Sequence, residues 1–258
     1  MGQSAVPVTV IIPTLNEAEQ IAECIGTAAW ADEIIVADAG STDATVSIAE
    51  RAGAVVLVQR GPTIAAQRNA AISRSRNNWI LAVDADERIT PELREEIPRV
   101  IGTPSHAAYR IRRRNFYLGK EVTRGHWGKD WVVRLFTRDR RYIEQRVHER
   151  LESVPETGNL TACLDHIPYR DLSHQLEKMN RYARWGAEDL YYSGRRAGVW
   201  DLTGRPLGRF LRSYFLQGSC WDGLPGVVAS SLGAYTAFLK YAHLWALDRS
   251  RMNGPSSP

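Results

Sequence analysis

The chain has 258 residues, 44% of them hydrophobic, enough to bury one large core or a domain with a sizeable appendage, which excludes a disordered protein. Its three cysteines, Cys24, Cys163 and Cys220, have no metal-type spacing and cannot all pair. This excludes a disulfide scaffold and a structural zinc site and suits reduced thiols in a cytoplasmic protein. The formal net charge of +4 is unevenly spread. Residues 1–104 hold 8 Lys and Arg against 14 Asp and Glu, residues 105–150 hold 13 against 5, and residues 170–258 hold 12 against 7. A basic second half suits an anionic partner, phospholipid or a phosphorylated saccharide, with a plain solvated face as the alternative. No nucleic-acid-binding motif accompanies the charge, so nucleic acid is not expected as a partner.

In chain order, Val8–Pro13 is a β-prone run closed by a proline, followed by Thr14-Leu15-Asn16-Glu17 and a helical pattern from Glu19 to Ala29. A second strand, Glu33–Ala37, ends in Asp38-Ala39-Gly40-Ser41-Thr42-Asp43. A helix and a third strand, Ala54–Val58, come next. Arg68-Asn69 lies inside a helical stretch, Ile64–Ser75, and a short buried strand, Trp79–Val83, runs into Asp84-Ala85-Asp86-Glu87. This alternation predicts an α/β fold with a mostly parallel sheet flanked by helices. Except for Arg68-Asn69, each polar cluster falls just past the C-terminal end of a strand, where open α/β sheets bind ligands. Ala107–Arg113 and Trp131–Thr137 read as strands extending the sheet.

Asp84 and Asp86 are the most informative pair. A hard divalent cation takes oxygen ligands and can bridge carboxylates to a diphosphate. Taken with Pro13-Thr14-Leu15-Asn16-Glu17, Asp38-x-Gly40-Ser41-x-Asp43 and Arg68-Asn69, the series resembles the motifs of family 2 glycosyltransferases with the GT-A fold, in order and at similar spacing. In the second half, Gly125-His126-Trp127, Asp130 to Arg134-Leu135-Phe136, Val147-His148-Glu149 and the segments Phe210–Tyr214, Asp222-Gly223 and Phe238–Tyr241 resemble one branch. That branch holds the lipopolysaccharide core glucosyltransferases of the WaaE/KdtX type. The resemblance implies an inverting transfer from a nucleotide sugar, UDP-glucose, to a lipid-linked bacterial saccharide.

The resemblance also implies roles. Glu17, Asp38 and Arg68 match positions that hold the nucleoside, and Pro13 fixes the backbone turn that lets the next residues approach the base edge. Asp84 and Asp86 match those that hold Mg²⁺ or Mn²⁺ through the diphosphate, the second Asp being the usual direct ligand. Asp43 has two readings, a nucleotide contact or the N-cap of the next helix. Glu87 reads as a helix-start carboxylate, with a supporting group behind the metal as the alternative. Inverting transfer needs a base for the acceptor hydroxyl. Glu149 is the first candidate, with His148 orienting it or helping to hold metal or diphosphate, and Asp130 is the second. Arg134 reads as a phosphate contact or as a strut to Asp130. Two further activities fit the front half: a polyprenyl-phosphate sugar synthase, which needs no base, and a silent nucleotide-sugar-binding protein.

The expected layout is a nucleotide-sugar-binding and catalytic domain over residues 1–150, a connection over 151–168 marked by Pro155, Gly158 and Pro168, and a helical region over 169–258. Gly194–Gly204 reads as a loop. Within Pro206–Leu247, apolar residues recur at helical intervals, broken by Arg209 and Arg212, and Gly223–Leu239 runs 17 residues without a charge. That is shorter than the roughly 20 apolar residues a bilayer span needs. Two helices joined near Asp222–Pro225 are expected, either lying on an anionic membrane surface or buried against the first domain. Trp127, Trp131, Trp185, Trp200 and Trp221 suit core packing first and sugar stacking or headgroup contact second. The N-terminus has no basic stretch leading into an apolar core. The expected location is cytoplasmic, peripheral on the inner face of the bacterial inner membrane.

Overall fold

The computed structural model describes residues 6–60, 63–117, 119–124, 130–143, 150–152, 156–169 and 171–252. In chain order the first elements are β1 (Val6–Thr14), α1 (Ile21–Ala28), β2 (Ala31–Asp38), α2 (Thr45–Arg51), β3 (Val55–Val58), α3 (Ile64–Arg74) and β4 (Trp79–Ala82). Next come β5 (Glu87–Ile89), α4 (Pro91–Gly102), β6 (Ala108–Tyr117), β7 (Lys120–Val122), β8 (Trp131–Thr137), β9 (Tyr142–Ile143), β10 (Arg150–Leu151) and β11 (Gly158–His166). The last helices are α5 (Leu172–Tyr192), α6 (Val199–Leu202), α7 (Gly204–Leu211) and α8 (Leu224–Met252). The chain divides into two compact units, residues 1–114 with 130–167, and residues 115–129 with 168–258.

The first unit is built on a sheet of order β3-β2-β1-β4-β8-β6-β11-β5. Its first four strands are parallel, because α1, α2 and α3 each carry the chain back before the next strand begins. The remaining strands pair antiparallel with their neighbours, as in Ile80 opposite Phe136 and Leu164 opposite Ile89. β1 is buried on both faces, which explains its unbroken apolar run. Val8, Val10 and Ile12 pack in one core with Ile21, Ile25, Leu93 and Ile97, while Ile11 points to the other with Ala65, Ile72 and Phe136. Thr63 and Thr90 cap α3 and α4 by accepting from the Ala66 and Leu93 N–H groups.

Residues 151–168, expected to be a connection, contain β11, which fills the sheet between β6 and β5. Pro155, Gly158 and Pro168 punctuate the segment as a loop would. Between them Leu160, Ala162 and Leu164 alternate, and all three pack in the core. The stretch read as a loop over Gly194–Gly204 likewise holds the single turn of α6.

In the second unit, Asn115–Tyr117 at the end of β6 pair with β7. Here α5 packs on α8 through Ala187, Tyr241 and Leu244, and His243 hydrogen-bonds Asn180 at 2.8 Å. No helix among the described residues is long and apolar enough to cross a membrane. The break between α7 and α8 uses Gly218 and Gly223, both at positive φ. α7 and the turn that follows it expose charged and apolar side chains alike. Arg205, Gly208, Arg209 and Arg212, spaced three and four residues apart, line a cavity of this unit. Leu207, Leu211 and Phe215, four apart, are 60%, 44% and 60% exposed.

Candidate active site

The loops after β1 and β2 are laced into one surface. Asn16 has φ of 58°, a left-handed conformation that Asn tolerates better than most residues. Its N–H donates to Ser41 Oγ at 2.8 Å, and its Oδ1 accepts from the Thr42 N–H at 2.8 Å. The Glu17 N–H donates to Thr45 Oγ1 at 2.8 Å, and the Ala18 N–H to Asp43 at 3.2 Å. Pro13 sits opposite Ala37, past the last β1–β4 pair, so its missing N–H breaks no bond to β4. Gln67, which no motif reading picked out, donates to the carbonyls of Thr14 and Ala37 and holds the two strand ends at a fixed distance.

Asp38 is fully buried, and its carboxylate accepts from Thr14 Oγ1, Ser41 Oγ and the N–H groups of Gly40 and Ser41, at 2.5–3.0 Å. Those bonds shape the loop itself. Asp43 stands one residue before the N-cap of α2, Ala44, and accepts from the Thr45 N–H and hydroxyl. Burial opposes its charge, but the bonds from Thr45 and Ala18 prevail and its carboxyl is lowered from 3.8.

Asp84 lies at the end of β4 between two arginines. Arg68 donates to Oδ1 at 2.5 Å and Arg134 donates to Oδ2. Arg134 also reaches Glu87 at 2.6 Å, Arg113 reaches Glu87 at 3.3 Å, and Arg113 grips both oxygens of Asp130 at 2.9 and 3.0 Å. The Arg68 guanidinium stands 4.9 Å from the Tyr142 ring centroid, and the Asn69 side chain bonds both the N–H and the carbonyl of Tyr142. Burial pushes the Asp84 carboxyl up, but Arg134 and Arg68 outweigh it and hold the group well below the usual carboxylate range. Burial in turn disfavours the Arg134 charge, and Asp84 and Glu87 more than restore it.

Two expectations change here. Glu87 starts no helix: it lies in β5, fully buried, and also accepts from the Asp84 N–H at 2.9 Å. Arg134 pairs with Asp84 and Glu87, and it is Arg113 that holds Asp130, so no Arg134–Asp130 strut forms. Asp130, the second candidate base, has both oxygens accepting from a guanidinium, which ill suits proton abstraction. His148 and Glu149 lie outside the described residues. Cys24 is buried beside this cluster, its thiol pushed far up by burial, as suits an inert core cysteine.

Asp86 turns away from the clamp. Its Oδ2 lies 3.6 Å from Nε2 of His166, a residue absent from every sequence motif above. β11 runs antiparallel to β5 with His166 opposite Glu87, and the Ile167 N–H donates to the Asp86 carbonyl at 2.8 Å. Asp165, the preceding residue, is held by Arg114 at 2.6 and 3.0 Å. The alternation of Leu160, Ala162 and Leu164 was the one signal that could have marked this strand. Among the described residues no group of three or more His, Cys, Asp or Glu could hold a metal ion. At this site the Asp86 carboxylate suits a hard divalent cation that takes its other ligands from substrate phosphates and water, and the His166 imidazole favours a transition metal over Mg²⁺.

Parallel strands with polar loops at their C-terminal ends and a strand-end Asp-x-Asp pair are the arrangement in which open α/β proteins hold ligands. Residues 9–156 match the model of the family described as Glycosyl transferase family 2. Over 248 residues the chain is 30% identical to the lipopolysaccharide core biosynthesis glycosyltransferase LpsC of Rhizobium meliloti (strain 1021), covering 93% of this chain and 92% of that one. It is 28% identical to the uncharacterized glycosyltransferase RP128 of Rickettsia prowazekii (strain Madrid E), covering 95% and 89%. A distant structural likeness is to S. aureus TarS 1–349 in complex with UDP, at 15% identity and a TM-score of 0.49, over 97% of this chain and 93% of that one. The chain belongs to glycosyl transferase family 2, and its fold is of the GT-A kind.

Replacing Asp84 removes the carboxylate that Arg68 and Arg134 share. Asp84→Asn is expected to cost about 3 kcal/mol at neutral pH, the low end for breaking a buried ion pair. The folded-state carboxyl is depressed, so its contribution is complete above 3.8 and is lost as pH falls below that value. Urea unfolding of both proteins at pH 7 and pH 3 checks this: the gap between them should narrow in acid.

Proposed function

We propose that the chain is an inverting hexosyltransferase that moves glucose from a UDP-sugar to a lipid-linked bacterial saccharide of the lipopolysaccharide inner-core kind. The observation that carries this reading is the Asp86–His166 pair beside the clamped Asp84 at the mouth of the sheet. The name of the Rhizobium relative supports the acceptor class.

In this reading Glu17 and the laced loops receive the nucleoside. Asp84 stays ionised and fixed, so that Arg68 and Arg134 carry little net charge of their own toward the donor. Asp86 and His166 would hold a Mg²⁺ or Mn²⁺ together with the diphosphate, and that ion would supply neutralisation of the charge on the leaving group. Glu149 takes the proton from the acceptor hydroxyl as it attacks the anomeric carbon from the face opposite the diphosphate. His148 orients Glu149.

The reading is tested by incubating the protein with a panel of nucleotide sugars, Mg²⁺ or Mn²⁺ and truncated lipopolysaccharide, and identifying products by mass. UDP-glucose should yield a product one hexose heavier. Asp86→Ala should abolish transfer, and His166→Ala should raise the metal requirement by about tenfold or more. Glu149→Gln should slow transfer by about 10²–10⁴-fold while UDP-sugar binding persists. A rate that survives Glu149→Gln points to an acceptor that is already ionised, as a polyprenyl phosphate is. Normal turnover in Asp86→Ala at saturating metal would end the metal assignment.

The proposed site of action is the inner face of the inner membrane, with the second unit lying on an anionic leaflet. The support is the outward apolar face of α7, continued by Leu216, Trp221 and Leu224 at 83%, 82% and 77% exposure. An aqueous surface gains nothing from such residues, whereas Trp and Leu suit the headgroup boundary. Full-length protein should float with anionic liposomes, and the double substitution Leu211→Ser with Phe215→Ser should sharply reduce flotation. Protein that stays in the soluble fraction at low salt would refute peripheral binding.

A further inference from the structure

The second unit contains a cavity of about 830 Å³ whose lining includes Arg124, Arg205, Arg209 and Arg212 and, among the described residues, no carboxylate. Arg205 is engaged elsewhere: it pairs with Asp201 at 2.5 Å and lies 5.4 Å from the Tyr241 ring centroid. Arg124, Arg209 and Arg212 have no acidic partner among the described residues. Asp222, near Arg124 in space, gives its carboxylate to the N–H of Thr123 and of Arg124 and to the Thr123 hydroxyl. It thereby fixes the backbone that presents the Arg124 side chain without neutralising it.

Like charges gathered in one cavity repel, and the repulsion is felt nearby. Lys240, on α8, has its ammonium lowered from 10.5, first by burial and then by Arg209, Arg195 and Arg205. A cluster that disfavours a neighbouring cation is relieved by an anion. Guanidinium groups present paired N–H donors that match phosphate oxygens.

The rest of the lining indicates what carries the phosphate. The side chains of Ser213, Ser219 and Ser230 form a hydroxyl chain at 3.1 and 3.4 Å, and Gln175 and Gln217 add amides. Tyr169 and Tyr182 supply aromatic surface, against which sugar faces stack. Hydroxyls and amides suit a saccharide, and an acyl chain would leave them without partners. The volume exceeds what a lone phosphate needs.

We infer that this cavity is a binding site for a phosphorylated saccharide, through Arg124, Arg209 and Arg212. The inference extends the proposed acceptor class and rests on it only for the biological identity of the ligand. The binding chemistry stands apart from the donor site.

The test is calorimetric titration of the full-length protein in EDTA with fructose 1,6-bisphosphate, with fructose as the unphosphorylated control. The bisphosphate should bind, and fructose should bind at least about tenfold more weakly. The double variant Arg209→Gln with Arg212→Gln should lose at least about tenfold in affinity, the scale of one lost charge-assisted contact. Binding should weaken as salt rises. Arg124→Gln, a change in an exposed loop, gives the same readout if the double variant fails to fold. UDP titrated with Mn²⁺ should bind wild type and both variants alike. Failure of that titration in wild type would sink the donor reading and leave this one standing. Equal affinity for fructose and its bisphosphate, or unchanged affinity in the variants, overturns the inference. So does a double variant that loses only its binding to phosphatidylglycerol vesicles, because the arginines would then serve lipid headgroups.

Discussion

Three arginines and three carboxylates alternate through the first unit in the order Arg68, Asp84, Arg134, Glu87, Arg113, Asp130. Each interior member has an opposite charge on both sides. Burying any one of them alone would cost several kcal/mol, and the alternation offsets that cost only while every link is present. The links join α3, the end of β4, β5, β6, β8 and the residue before β8. These elements come from both the parallel and the antiparallel part of the sheet, so the network sets how the two parts meet at the mouth. It also explains why the two aspartates of the pair differ. Asp84 is turned into the network and saturated there. Asp86 is turned out of it, toward His166.

Much of the first unit was legible in the sequence because its signals are local. Short apolar strands separated by helical repeats predict parallel pairing, and polar residues at strand ends mark the ligand edge. The Asp84-x-Asp86 pair stood out by the same logic, and Arg68 by its place in the motif series. What was hidden depends on pairing between distant segments. Arg113 and His166 acquire meaning only when β6, β11 and β5 come together at one end of the sheet. Pro155, Gly158 and Pro168 masked β11 because turn residues dominate a local reading of a strand whose apolar positions are few. Gln67 was invisible for a related reason. A buried glutamine on a helix declares nothing until the two carbonyls it bridges, Thr14 and Ala37, are known.

The second unit raises a different difficulty. An amphipathic pattern states that a helix has two faces and is silent about which one turns inward. Along α7 the arginines border the cavity and the leucines lie away from it, and both sets are exposed. The small apolar core formed by Ala187, Tyr241 and Leu244 lies between α5 and α8. α7 packs on α8 beside that core and contributes no buried side chain of its own.

Charge counting along the sequence located the basic excess in residues 105–150 as well as in the tail, but the two excesses differ in kind. In the first unit the arginines of that stretch are largely consumed within the fold. Arg113 is spent on Asp130 and Glu87, Arg114 on Asp165, and Arg134 on Asp84 and Glu87. Such groups contribute little potential beyond their partners, since each cation is matched within a few ångströms. Arg124, Arg209 and Arg212 have no such match among the described residues, and they share one cavity. A surface field that can draw an anion comes from the unmatched groups, so three arginines outweigh a longer run of paired ones. The number of cations in a segment is therefore a poor guide to where a phosphate binds, and the number left without carboxylates is a good one.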